Sequence, residues 1–260
     1  MLILFPDNSG WRALIGKAYQ ALALDENRSS FGPTLLYYPT KPDAPEELER
    51  TGFLQCWFPG VHTDVGGGYE RAYRDISDIS LMWMVEMCSS ALVFSDDLAQ
   101  ILKKPSLKAV DPNAWFPKKA KIPEDLGWGL SDAHDEYHTP TFIAAGATTR
   151  TPGQYFLGKR HENGSEYETN EWIHSSVRMR MLKKKGGYKP DALKGFKLSK
   201  DEEGWKWTGK FKVGRGEEKE VVIREWGAPF DHDSFEGCLL NPEELELINN
   251  DEAFKGLVAK

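Results

Sequence analysis

The sequence predicts an α/β fold, and three stretches carry the prediction. Phe53 to Phe58 is a continuous apolar run stopped by Pro59-Gly60, the pattern of a strand buried on both faces of a sheet. Further on, Ile76, Ile79, Trp83 and Met87 recur at helical spacing. They predict a helix from about Ile76 to Leu92, with Asp75 or Ser77 at its start. Near the C-terminus, "WKWTGKFKV" and "EVVIREW" flank Gly214-Arg215-Gly216, which predicts a β-hairpin.

The other elements follow in chain order. MLILFP reads as the end of a strand entering a loop. Trp11, Leu14, Ile15, Ala18 and Leu22 fit a helical stripe, so a helix ending near Asp25-Glu26 is expected. Phe31 to Tyr38 reads as a short extended piece closed by Pro39. An acidic surface stretch punctuated by prolines then runs through Glu49. Asp96 to Ile101 reads as a short helix. Lys103 to His138 is rich in Pro and Trp and follows no clear period. "TPTFIAAGA" (Thr139 to Ala147) reads as a short strand. His174 stands just before a helix for which Ser175 or Ser176 is the expected cap. No internal repeat or low-complexity tract divides the chain.

The chain is long enough to bury a sizeable core, with 260 residues of which 40% are hydrophobic and 28% charged. Its net charge of −7 disfavours nucleic acid and anionic membranes as partners. Cys56, Cys88 and Cys238 are odd in number, far apart and outside any C-x-x-C spacing. This argues against a disulfide framework or zinc knuckle and fits a reducing compartment. The N-terminus has no basic region before its apolar start, so no signal peptide is read, and a cytoplasmic protein is expected. No apolar run approaches the ~18 residues of a membrane span.

The chemistry gathers in "CWFPGVHTDVGGGYE" (Cys56 to Glu70). Asp64 follows a buried strand, and in open α/β sheets ligands collect beyond the carboxyl ends of strands. A carboxylate there can orient a histidine, which then serves as general base for a nucleophile. His174, at a loop-to-helix junction, is its natural partner. Asp before His is the second half of the Ser…Asp/Glu…His order of α/β-hydrolases. Plainer readings stand beside this one. Asp64 can simply bind loop amides, as an Asx turn does. The glycines can serve a left-handed backbone, or bring amides to an anion. His62 can be a ligand, an oxyanion donor or a satisfied loop histidine. A metal reading joins His62 and Asp64 to His134 or His138. "HDEYH" has i, i+4 spacing but not the H-E-x-x-H order, so no metal or other cofactor is predicted.

Three stretches carry a family resemblance. "WFPGVHTDVGGGY" with "DISLMWMVE", "AYQALALDENRSSFGPTLLYYP", and "WIHSSVRMR" together resemble a family of uncharacterised α/β-hydrolase domains. That family includes the Tle1-type phospholipase effectors of type VI secretion and many fungal members. The resemblance spans roughly residues 11 to 180. It implies a partial α/β-hydrolase-like three-layer core with helical insertions, and ester hydrolysis with lipid or small esters as substrates. By position, Asp64 matches the triad acid and His174 the triad base. His62, Gly66 and Gly67 fall in the same motif, as candidates for substrate or oxyanion contact. Asp25 and Arg28 match as well, and Asp25 is expected to cap locally or to pair with Arg28. On this reading residues 1–192 are the C-terminal portion of a catalytic domain. Residues 193–260 are an extension with the hairpin, which can pack on the same domain.

The family's nucleophile lies in a G-x-S-x-G elbow, and this sequence contains none. "GLSDA" (Gly129 to Ala133) lacks the last glycine, and "NGSEY" also fails. Ser9 and Ser131 lack the strand–turn–helix context. The expectation is a chain that starts inside a hydrolase domain, is inactive as given, and self-associates through an exposed sheet edge. The alternatives are a non-catalytic binding module on a degenerate hydrolase fold and, behind it, a metal-dependent hydrolase.

Overall fold

A computed structural model describes residues 17–37, 53–68, 76–94, 127–131, 133–134, 146–160, 164, 166–184, 187–214, 216–231 and 233–258. Among the described residues six strands form one mixed sheet: β1 (Ala18–Ala23), β2 (Phe53–Phe58), β3 (Glu171–His174), β4 (Phe196–Asp201), β5 (Gly204–Val213) and β6 (Glu217–Trp226). Their spatial order is β1-β2-β3-β6-β5-β4. β1, β2, β3 and β6 run parallel, and β5 and β4 follow as antiparallel neighbours. The chain is therefore α/β, and the C-terminal hairpin is part of the same sheet as β1–β3.

β2 is the strand expected from its apolar run. Leu54, Gln55, Cys56, Trp57 and Phe58 are all buried. Gln55, the polar exception, is satisfied by the amide and carbonyl of Leu36 and the carbonyl of Thr169. β1 corrects the helix expected up to Asp25-Glu26: Ala18–Ala23 is a strand in register with Phe53–Phe58. Ala18 and Leu22 satisfy a helical and an alternating pattern equally. The parallel ladder to β2 decides between them. The part of that expected helix before residue 17 lies outside the described residues, as do Asp96–Ile101 and most of Thr139–Ala147. Residues 32–37 form no regular element.

Both faces of the sheet are covered. On one side lies the helix Ile76–Cys88, here α2, four residues shorter than expected. Its Trp83 meets Phe58 edge-on at 5.5 Å and Tyr19 at 6.5 Å. On the other side Trp57 stacks on Tyr155, and Trp205 meets Phe254. The other α-helices among the described residues are α1 (His62–Gly66), which precedes α2, α3 (Ser175–Lys183), α4 (Pro242–Asn249) and α5 (Lys255–Val258). α4 begins with a capping box, in which Asn241 and Glu244 satisfy each other's amides. No described helix is long and apolar enough to cross a membrane.

The parallel ladders fix where chemistry can sit. Ala23 pairs with Phe58, and His174 with Trp226, so four strands end at one edge of the sheet. Asp25, Asp64 and Phe230 follow the ends of those strands and His174 is the last residue of β3, so all four lie at the same edge.

Candidate functional site

Asp64 comes out of β2 through the Pro59-Gly60 turn and lies in α1, a one-turn helix where the sequence suggested only a glycine-rich loop. Gly60 has φ of 96°, and a Cβ there would stand 2.7 Å from the Asp64 Cβ. Only glycine allows both this backbone and this approach. The Asp64 carboxylate is buried and accepts three bonds. Its Oδ2 takes the amides of Val61 at 2.9 Å and His134 at 3.1 Å, and its Oδ1 lies 2.6 Å from Nδ1 of His134. A carboxylate only accepts, so Nδ1 carries a proton, and in the neutral ring the lone pair is on Nε2. The His134 side chain is 46% exposed. The pair is thus a buried carboxylate orienting a solvent-reachable imidazole, the arrangement that general-base catalysis requires.

His174 takes a different partner. It is fully buried, stacked on Phe58 at 4.5 Å between rings. Its Nε2 lies 2.6 Å from Oε2 of Glu236, which follows β6. Its Nδ1 lies 2.8 Å from the Ser176 hydroxyl and accepts the Ser176 amide at 3.2 Å. The amide can only donate, so Nδ1 holds the lone pair and Nε2–H donates to Glu236. His174 itself is the N-cap of α3, in place of the expected Ser175 or Ser176. The imidazole accepts the orphan amide that a serine hydroxyl would otherwise take. Ser176, His174 and Glu236 stand in the order of a hydroxyl–imidazole–carboxylate relay, but all three are buried. Asp64 and His174 do not hydrogen-bond to each other.

The neighbouring groups hold this edge in place. Asp25 Oδ2 accepts the Gly60 amide at 2.6 Å and the Tyr188 hydroxyl at 2.7 Å. Burial pushes its carboxyl above the ordinary range, against those two bonds. Arg28 pairs with Glu26, Nη2 to Oε2 at 2.7 Å, while Asp25, expected to cap locally or to pair with Arg28, accepts the Gly60 amide. Glu26 also accepts the His62 amide at 3.1 Å. Burial raises Glu26, but the bonds from Arg28 and His62 outweigh it and hold the carboxyl below its usual range. The exposed His62 ring packs on Phe31 at 5.3 Å. Gly67 ends α1 in the left-handed region, its amide bonded to the Thr63 carbonyl, and Gly66 is exposed.

His134 and Glu236 are the partners that sequence reasoning did not place. The sequence offers His134 only as a metal ligand, on the "HDEYH" spacing. Among the described residues no group of His, Cys, Asp and Glu is arranged to hold a metal ion. Glu236 lies in "DSFEGC", which gives no local signal, since only the β3–β6 pairing brings it to His174.

No curated protein and no solved structure matches the chain. Residues 5–87, the stretch holding β1, β2, Asp64 and nearly all of α2, match the family model of the catalytic domain of Tle1-like phospholipase effectors of type VI secretion, and this is the family that the chain resembles.

Proposed function

We propose that the chain carries the acid and base of a lipid-ester hydrolase, with Asp64 as the acid and His134 as the base that it orients. The observation that carries this reading is the 2.6 Å contact between Asp64 Oδ1 and His134 Nδ1 at the carboxyl edge of the parallel strands. The phospholipase-like family match over residues 5–87 supports the ester as the substrate bond. His134 takes the place that the sequence reading gave to His174, whose two ring nitrogens are engaged by Ser176 and Glu236.

The chain has no G-x-S-x-G serine. The Ser176 hydroxyl is buried against His174 Nδ1. Ester cleavage by this polypeptide therefore runs without a serine acyl-enzyme. His134 Nε2 takes a proton from water as the water oxygen bonds to the acyl carbon, and the alcohol leaves with that proton. Without a nucleophile such a site retains only the weak rate that orientation and general-base assistance supply, far below a complete triad.

The test is a fluorophosphonate probe together with hydrolysis of an activated ester and of phospholipid vesicles. The expected result is no covalent label, and a slow activated-ester hydrolysis lowered about tenfold or more in His134→Asn. A stoichiometric serine label, or hydrolysis indifferent to both His134→Asn and Asp64→Asn, would overturn the reading.

A further inference from the structure

α3 and its C-cap residue face the His134 loop with three residues four apart: Ser176, Arg180 and Lys184. The Ser176 Cβ is 3.6 Å from where a Gly129 Cβ would stand. Arg180 Nη1 donates to the Gly129 carbonyl at 2.6 Å and to the Ser131 carbonyl at 2.7 Å. Lys184 Nζ donates to the Leu130 carbonyl at 2.9 Å. Three consecutive carbonyls thus turn toward one helix, and His134 follows three residues later. The left-handed φ of 69° at Gly129 permits that turn.

Arg180 also reaches the other side of the site. It is buried, and its guanidinium lies 5.0 Å from the Tyr188 ring. Tyr188 donates to Asp25, and Asp25 accepts the amide of Gly60, the glycine that abuts Asp64. The positive charge of Arg180 acts on Asp25 as well. One side chain therefore touches the loop that brings His134 and the network that sets the turn before Asp64.

We infer that Arg180 is a positioning residue for the Asp64–His134 pair, fixing the His134 loop through two carbonyls and the Asp64 turn through Tyr188 and Asp25. The inference deepens the functional reading above, but its test does not depend on ester turnover. A planar fork with two N–H groups on one nitrogen suits two carbonyls at once. A lysine ammonium is a point donor on a flexible stem and holds two such acceptors less well.

The test is the ring signature of His134 in imidazole nitrogen–proton NMR spectra of the full chain, compared among wild type, Arg180→Lys and Arg180→Gln. In wild type, neutral His134 is expected as the Nδ1–H tautomer with a downfield Nδ1 proton held by Asp64. In Arg180→Gln that signal should be lost, and the ring should revert to the Nε2–H form that a free imidazole favours. Arg180→Lys should lie between the two, and it decides the matter alone if Arg180→Gln does not fold. A merely structural Arg180 would lower the melting temperature and leave the tautomer unchanged in the folded variants. That result would overturn the inference. Loss of the tautomer in a chain that hydrolyses nothing would uphold the inference while the functional reading fails.

Discussion

Asp64 and His134 meet at 2.6 Å although 70 residues separate them, and the same carboxylate holds the His134 amide and the Val61 amide. Three donors converge on one buried group, so its removal leaves each of them to find water or go unpaired. Asp64→Ala is expected to cost about 1–3 kcal/mol, and more if no water reaches the Val61 amide. Asp64→Asn keeps one acceptor and should cost less, but its amide NH2 turns a donor toward donors and favours the wrong ring tautomer. Urea unfolding of the three proteins checks the order: wild type, then Asp64→Asn, then Asp64→Ala. Equal midpoints would mean that Asp64 is idle in the fold.

His174 and Glu236 make a second, sealed pair. Glu236→Gln retains an acceptor for Nε2–H and should be tolerated within about 1 kcal/mol. Glu236→Ala leaves that donor unpaired in an apolar box of Phe58, Trp128 and Phe230. It should cost about 1–3 kcal/mol. His174→Ala removes the cap of α3 and opens a cavity, for a loss of about 3 kcal/mol or more. A His174→Ala variant as stable as wild type would show that the box and the cap contribute nothing. Calorimetric melting of the set gives the ranking.

The parts of this picture that are local were legible in the sequence. Phe53–Phe58 announces itself as a two-sided strand because every residue but Gln55 is apolar, and the hairpin is announced by its glycines. β1 misled because "AYQALALD" fits two periods, and the choice between them is made by β2, 35 residues away in register. Asp64 was readable from its place after a strand. Its histidine was not, because the loop bearing His134 has no period and is held by carbonyl contacts that any sequence offers. The glycine that matters most to Asp64 is Gly60 in the strand-ending turn, rather than the conspicuous run from Gly66 to Gly68.

Glu171 gives a pH dependence with a definite sign. It accepts from Trp57 Nε1 at 2.8 Å, the Gly153 amide at 2.9 Å and the Thr169 hydroxyl at 2.5 Å, tying β3 to β2 and to the turn over the sheet. Burial nevertheless raises its carboxyl above the ordinary range. The folded state then holds a proton that the unfolded chain has already released. Its contribution is greatest below the unfolded value of about 4.3, falls as pH rises through the folded value, and levels off above it. The stability difference between wild type and Glu171→Gln, measured by urea unfolding from pH 4 to 7, should therefore shift against wild type as pH increases. A flat difference would contradict the raised carboxyl. A difference moving the other way would mean that the three donors outweigh burial.

Arg178 joins α3 to the C-terminal part of the chain. It is fully buried, with Nε on Glu225 at 2.9 Å and its guanidinium 3.9 Å from the Phe254 ring and 4.7 Å from Trp205. Burial raises the Glu225 carboxyl, and Arg178 opposes that rise. Breaking such a pair strands one charge, so Arg178→Ala should cost about 3–5 kcal/mol. Replacing both partners should not. In Arg178→Met/Glu225→Met the thioether keeps contact with the two rings, and no charge is left without its counter-ion. The double variant should recover most of the loss, giving a coupling of about 2 kcal/mol or more in a double-mutant cycle of urea midpoints. Additive losses would mean that Arg178 acts through its aromatic contacts and the Ile248 carbonyl alone. Strong coupling would mean that the ion pair, by demanding its own satisfaction, fixes where the segment from β4 onward packs against α3.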